Sequence, residues 1–187
     1  MGRKGLDAFW AELSPCAHVV QIYEDDAVLL ENLAEFVAGG LVQQEAAIVI
    51  ATPQHRAGLL ARLSSKGLAV EAAQNEGRLI VLDAEATMSK FLVDKRPDEH
   101  LFRRTIGDIL ARARQSGRKI RAFGEMVALM WAQGYCGATI QLEHLWTDFC
   151  REQSFSLFCA YPKVGFTGDA VEDMHRVCDL HTAVLDE

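Results

Sequence analysis

"HVVQIYEDDAVLLENLAEFVAGG", residues 18–40, decides the reading of the fold. An apolar run from His18 to Tyr23 enters a polar turn, and apolar residues at helical spacing follow until Gly39 and Gly40 close the pattern. This is the strand, turn and helix that open an α/β domain. The turn is acidic: Tyr23, Glu24, Asp25 and Asp26 stand where a phosphate-binding loop would carry glycines and a lysine. Asp25 or Asp26 makes a good N-cap, so the turn is well formed for a helix start without any phosphate.

Outward from this unit the pattern repeats. "AAIVIAT", residues 46–52, is a continuous apolar run suited to a strand buried on both faces. Thr52 can cap the next helix and Pro53 can take its first position, with Leu59, Leu60 and Leu63 as its apolar stripe and Gly67 as its stop. "RLIVLDA", residues 78–84, predicts a further strand, followed by a short helix around Thr87 to Val93 and a break at Pro97. Phe102, Ile106, Ile109, Leu110 and Ala113 then mark a longer helix. "KIRAFGE", residues 119–125, reads as a strand that turns into the helix "MVALMWAQG". A helix from about Thr139 to Gln153 carries Leu142, Leu145 and Phe149 on one stripe and Glu143, Thr147 and Cys150 on another. "FSLFCAYP", residues 155–162, is a last strong strand, and "DAVEDMHRVCDLHTAVL" a terminal helix. The expectation is an α/β fold of three layers, a mostly parallel central sheet with helices on both faces and right-handed crossovers. Residues 1–15 read as a tail or short helix ahead of a single domain over 16–187.

Composition narrows the function classes. The chain has 187 residues, 19 of them basic and 26 acidic, for a formal charge of −7. That balance, without any strongly basic run, argues against nucleic acid or an anionic membrane as a direct partner. No apolar stretch reaches the roughly 20 residues of a membrane span, and "MGRKGLDAFWAEL" lacks a signal-peptide core, so a cytoplasmic location is expected. Five scattered cysteines fit reduced thiols better than a disulfide framework.

The ordered segments "HVVQIYEDD", "FVAGGL", "AAIVIATPQH", "GRLIVLDAE", "IRAFGEMVALMWAQG", "LEHLWTDFC" and "FSLFCAYP" resemble the MEDS family, the methanogen and methylotroph sensory domain of DcmR-type regulators. The resemblance runs from about His18 to His181. It rests on His18 with Tyr23 five residues on, "GEM", "LE" and "C-x-Y-P". It implies a sensory domain that sits in regulators or beside signalling modules, for which small hydrocarbon-derived ligands have been proposed. The segment from "FVAGGL" to "GRLIVLDA" also resembles RecA-like ATPases of the circadian-clock branch, which implies a degenerate RecA-like fold that has lost its phosphate loop. Three carboxylates in that turn would repel a triphosphate, so ATP hydrolysis is disfavoured and residual nucleotide binding is the alternative reading.

In a parallel sheet, ligands collect beyond the carboxyl ends of the strands. That rule selects Tyr23, Glu24, Thr52, Asp83, Gly124, Glu125 and Tyr161 as one rim, a mixture of aromatic walls and carboxylates suited to a small neutral or cationic organic molecule. Glu125 either caps the helix that follows or touches a ligand. Glu143, among apolar neighbours, needs a partner, for which Arg121 is the obvious candidate. His18 can donate to a carboxylate or to a ligand. The candidate ligand-binding set is therefore His18, Tyr23, Glu24, Arg121, Glu125, Glu143 and Tyr161.

Neither metal nor cofactor is expected. Cys16 with His18, and Cys178 with His181, match zinc ligands in residue type, but the strong C-x-x-C and H-x-x-x-H spacings are absent. Cys159 lies mid-strand, where burial makes a thiol inert. No G-x-S-x-G, H-E-x-x-H or G-x-G-x-x-G pattern occurs, so no reaction is assigned. The expected role is non-catalytic: a module that binds a small organic ligand and regulates a separate signalling or transcription-regulatory protein. The terminal helix, with Val171, Met174, Val177 and Cys178 on one side, offers a homodimer contact or packs on its own sheet.

Overall fold

In a computed structural model, which describes residues 9–10, 12–166 and 171–185, the apolar runs become parallel strands. In chain order the strands are β1 (His18–Tyr23), β2 (Ala46–Ala51), β3 (Leu79–Asp83), β4 (Leu92–Val93), β5 (Arg96–Pro97), β6 (Ile120–Gly124), β7 (Ser156–Pro162) and β8 (Ala183–Leu185). The helices are α1 (Asp26–Val42), α2 (Pro53–Ser65), α3 (Val70–Asn75), α4 (Ala84–Met88), α5 (Glu99–Ala113), α6 (Met126–Ala132), α7 (Cys136–Gln153) and α8 (Val171–Asp179). Six strands form one sheet in the order β3-β2-β6-β7-β1-β8, and every pairing in it is parallel. Helices cover both faces, which gives the three-layer α/β fold.

Strand alternation separates two cores. Val20, Ile22, Ile48, Ile50, Ala122, Leu157, Cys159 and Tyr161 face the layer that includes Phe102 and Ile106 of α5, Leu142 and Trp146 of α7, and Val177 of α8. Val19, Tyr23, Val49, Phe123, Phe158 and Ala160 face Leu29, Leu33 and Phe36 of α1 and Leu59 and Leu63 of α2. Trp10 joins this second core with its ring 5.1 Å from that of Phe36 and 5.0 Å from that of Phe158.

Side chains cap the two helix starts at which the sequence places a cap, and Asp83 and Asp98 cap α4 and α5 in the same way. Asp25 accepts from the backbone N–H of Ala27 at 2.7 Å, and Thr52 accepts from that of His55 at 3.4 Å ahead of Pro53. Three boundaries differ from expectation. Gly39 and Gly40 lie inside α1, which continues to Val42, and it is Gly40 that admits a neighbouring side chain, that of Arg121. The helix expected around Thr87 to Val93 is α4 and then a hairpin of β4 and β5, turned at Asp94 and Lys95 with φ of 47° and 65°. Paired positive φ values suit the twist of a two-residue hairpin. The terminal helix ends at Asp179, and the "AVL" beyond it becomes edge strand β8, where Ala183 pairs with Val19 and the Thr182 N–H donates to the His18 carbonyl at 2.6 Å. Val177 and Met174 pack into the first core; the Val171 side chain lies outside the described residues.

Candidate functional site

The two stripes read on α7 face different surroundings. Glu143, Thr147 and Cys150 recur at i, i+4 and i+7 and look toward the end of the sheet formed by β7, β1 and β8. Cys150 Sγ donates to the Phe155 carbonyl at 2.8 Å, closing the turn into β7, and burial pushes its thiol up to about 12. Alternation puts Cys159 and Tyr161 of β7 on the same face as His18 of β1. His181, in the turn between α8 and β8, stacks on His18 with ring centroids 3.9 Å apart. Side chains from β1, α7, β7 and the α8–β8 turn thus enclose one polar cluster.

Its geometry is tight. Tyr161 O–H donates to Glu143 Oε1 at 2.5 Å. Glu143 Oε2 lies 3.5 Å from His18 Nε2, 3.6 Å from His181 Nε2 and 3.9 Å from Cys159 Sγ. His18 Nε2 is 3.4 Å from Cys159 Sγ, and its Nδ1 is 3.0 Å from Thr147 Oγ1. His181 Nδ1 is 2.7 Å from the Val177 carbonyl, a contact in which the ring nitrogen donates. The side chains of Glu143 and His181 have no solvent exposure. Burial pushes the Glu143 carboxyl up, opposed by His181 and by the Tyr161 hydrogen bond. Burial also draws His18 down, with His181 and Arg151 adding to it, and raises Cys159 and Tyr161, with Glu143 adding to both. The common cause is that charge is costly where water is excluded.

A second cluster occupies the carboxyl ends of the strands on the α1 and α2 side. Glu125 follows β6, and its side chain does not cap α6. It reaches across instead: Oε2 accepts from the Thr52 N–H at 2.8 Å and Oε1 meets His55 Nδ1 at 2.7 Å. Asp26 Oδ2 lies 3.4 Å from His55 Nε2. Tyr23 is buried beside them, and burial, then Glu125 and Asp26, raises its phenol.

The expected rim therefore divides. Tyr23 and Glu125 share the second cluster, while Tyr161 lies on the opposite face of the sheet with Glu143. Glu24 is exposed and paired with Lys163, and Asp83 caps α4 and binds Arg56. The expected Arg121–Glu143 pair does not form. Arg121 and Phe123 alternate onto the α1 face, whereas Glu143 descends from a helix on the other face. Arg121 instead pairs with Glu45 and donates to the carbonyls of Trp10 and Phe36, at 2.7 Å and 3.3 Å. It also lines a cleft of about 360 Å³ with Leu13, Glu45, Lys119 and Phe155, at the amino ends of β2, β6 and β7. None of His18, Glu143, Cys159, Tyr161 and His181 lines this cleft, and the chemistry is concentrated in their cluster.

Of the residues read from sequence, His18, Glu143 and Tyr161 come together. His181 and Cys159 belong with them and were read otherwise, His181 in a pair with Cys178 and Cys159 as an inert core thiol. The available signal was the shared parity of Cys159 and Tyr161, two apart on one strand. His55 of the second cluster lies in the first turn of α2 and carried no signal until Glu125 reached it across the sheet.

No helix among the described residues is long and apolar enough to cross a membrane. Among curated proteins no relative matches the chain. The profile of the methanogen/methylotroph, DcmR sensory domain matches residues 17–178, which spans every strand of the sheet but β8 and carries His18, Glu143, Cys159 and Tyr161. The chain belongs to the MEDS family of sensory domains.

Proposed function

We propose that this domain is a non-catalytic sensor that binds a small organic molecule and passes the resulting change of shape to a separate signalling or transcription-regulatory protein. The observation that carries this reading is the enclosed cluster of His18, Glu143, Cys159, Tyr161 and His181 in an otherwise apolar layer. A buried carboxylate costs several kcal/mol of desolvation, about the range an apolar replacement would avoid. Its partners come from β1, α7, β7 and the turn before edge strand β8, so a molecule that replaced one contact would shift the edge of the sheet relative to α7. Such a ligand acts only by binding one arrangement better than the other.

The test is thermal unfolding of the full chain against small alcohols, amines and chlorinated hydrocarbons. A ligand at a hundredfold excess over its Kd stabilises by about 2.7 kcal/mol, enough to read as a rise in Tm. The expected result is a rise for at least one class, diminished in Tyr161→Phe, with no turnover of the compound. A flat response across all three classes would remove the ligand-binding part of this reading.

A further inference from the structure

We infer that His18, Glu143, Cys159 and His181 form a binding site for a divalent transition metal ion of the zinc type. The inference rests on the same cluster as the sensory reading but needs no organic ligand. One donor atom from each residue lies within 4.8 Å of the other three. A four-coordinate ion with ligand bonds of roughly 2.0–2.3 Å requires tetrahedral edges of about 3.3–3.8 Å. The measured separations are 3.4 Å for His18 Nε2 to Cys159 Sγ, 3.5 Å for His18 Nε2 to Glu143 Oε2, 3.6 Å for His181 Nε2 to Glu143 Oε2 and 3.9 Å for Cys159 Sγ to Glu143 Oε2. Four edges of the six therefore match or nearly match a tetrahedron without any side chain moving far.

An independent observation points the same way. His181 Nε2 is buried and has no hydrogen-bond partner among the described residues, while Nδ1 of the same ring donates to the Val177 carbonyl. That hydrogen bond places a proton on Nδ1, so Nε2 is the ring atom turned to the Glu143 carboxylate oxygen, at 3.6 Å, beyond hydrogen-bonding range and with room for an ion bound to both. The surrounding contacts are those of an orienting outer layer: the Val177 carbonyl on His181, Thr147 Oγ1 on His18 Nδ1, and Tyr161 O–H on the Glu143 oxygen that faces away. Two imidazoles, a thiol and a carboxyl make a borderline donor set, suited to Zn²⁺, Co²⁺ or Fe²⁺ and poorly suited to Mg²⁺ or Ca²⁺. Loading would release the thiol proton, and any proton on Glu143, to solvent. The ligands come from three strand or turn positions and one helix, so the ion would tie the β8 edge to α7.

The experiment uses the full chain, stripped with chelator and titrated with Co²⁺. The expected result is saturation at one ion per chain, with the visible bands of tetrahedral cobalt and a near-ultraviolet thiolate-to-metal band. Cys159→Ser loses the thiolate band, whereas a Cys16→Ser, Cys178→Ser double variant keeps it, which separates this site from pairings through the terminal cysteines. Circular dichroism checks the fold of each variant; if Cys159→Ser unfolds, Co²⁺ stoichiometry and the spectrum of the unaltered chain decide. Absence of both bands in the unaltered chain at equimolar Co²⁺, or their survival in folded Cys159→Ser, overturns the site. A chain that takes up no Co²⁺ yet still shows a rise in Tm with an organic ligand overturns the metal alone and leaves the sensory reading standing.

Discussion

His55 sits between two carboxylates, with Glu125 at 2.7 Å from Nδ1 and Asp26 at 3.4 Å from Nε2. The hydrogen bond to Glu125 raises the imidazole above its ordinary value; burial pulls the other way, and the charges of Glu125 and Asp26 add to the rise. A raised folded-state value means that His55 contributes stability fully below its unfolded value of about 6.5, and that the contribution fades as pH climbs through the folded value. His55→Gln is expected to cost about 1–3 kcal/mol at pH 6, the worth of a hydrogen bond to a charged group, and progressively less in alkali. Urea unfolding of both proteins across pH 6 to about 9 measures it. A difference that stayed constant or grew with pH would contradict the charged His55. Neither His55 nor its role is visible in the linear sequence, since its partner lies on a different βα unit.

Helix α1 carries its two consecutive glycines past Arg121. A Cβ on Gly40 would lie 2.9 Å from Arg121 Cδ and 3.0 Å from Nε, whereas one on Gly39 would meet only the Arg121 Nη1 at 3.5 Å, an ordinary contact. Alanine is favoured over glycine inside a helix by about 1 kcal/mol, and overpacking costs about 1–3 kcal/mol. Gly39→Ala is therefore expected to raise stability and Gly40→Ala to lower it, by about 1 kcal/mol each. Thermal unfolding of the two variants reads the sign; equal shifts would mean that Arg121 does not press on α1. The glycines thus mark where a buried cation and its Glu45 partner pass beneath the helix. Sequence spacing alone made them a helix stop, because a glycine that ends a helix and one that admits a neighbour look the same in one dimension.

Across the whole molecule, protection should follow position in the sheet. β2 is flanked by β3 and β6 and buried along its length, while β8 is three residues long with β1 as its neighbour. Amide exchange is expected to be slowest in β2 and fastest among the sheet strands in β8, as open edges unpair locally before central strands do. Mass-spectrometric hydrogen exchange tests this, and β8 protected as strongly as β2 would argue that more covers that edge than β1 pairing supplies. The layered α/β class, the parallel strands β1, β2, β3, β6 and β7, the capped start of α1 and the burial of Glu143 were legible from local chemistry, since apolar runs, N-caps and helical stripes act over a few residues. The partners were not. Strand parity sent Arg121 to Glu45 and Tyr161 to Glu143, on opposite faces, and "AVL" became a strand only because β1 offered it an edge. The sequence by itself determined which segments are buried and which ionisable residues are carried inside; tertiary structure alone decided that His18, Glu143, Cys159 and His181 meet, because long-range register has no local signature.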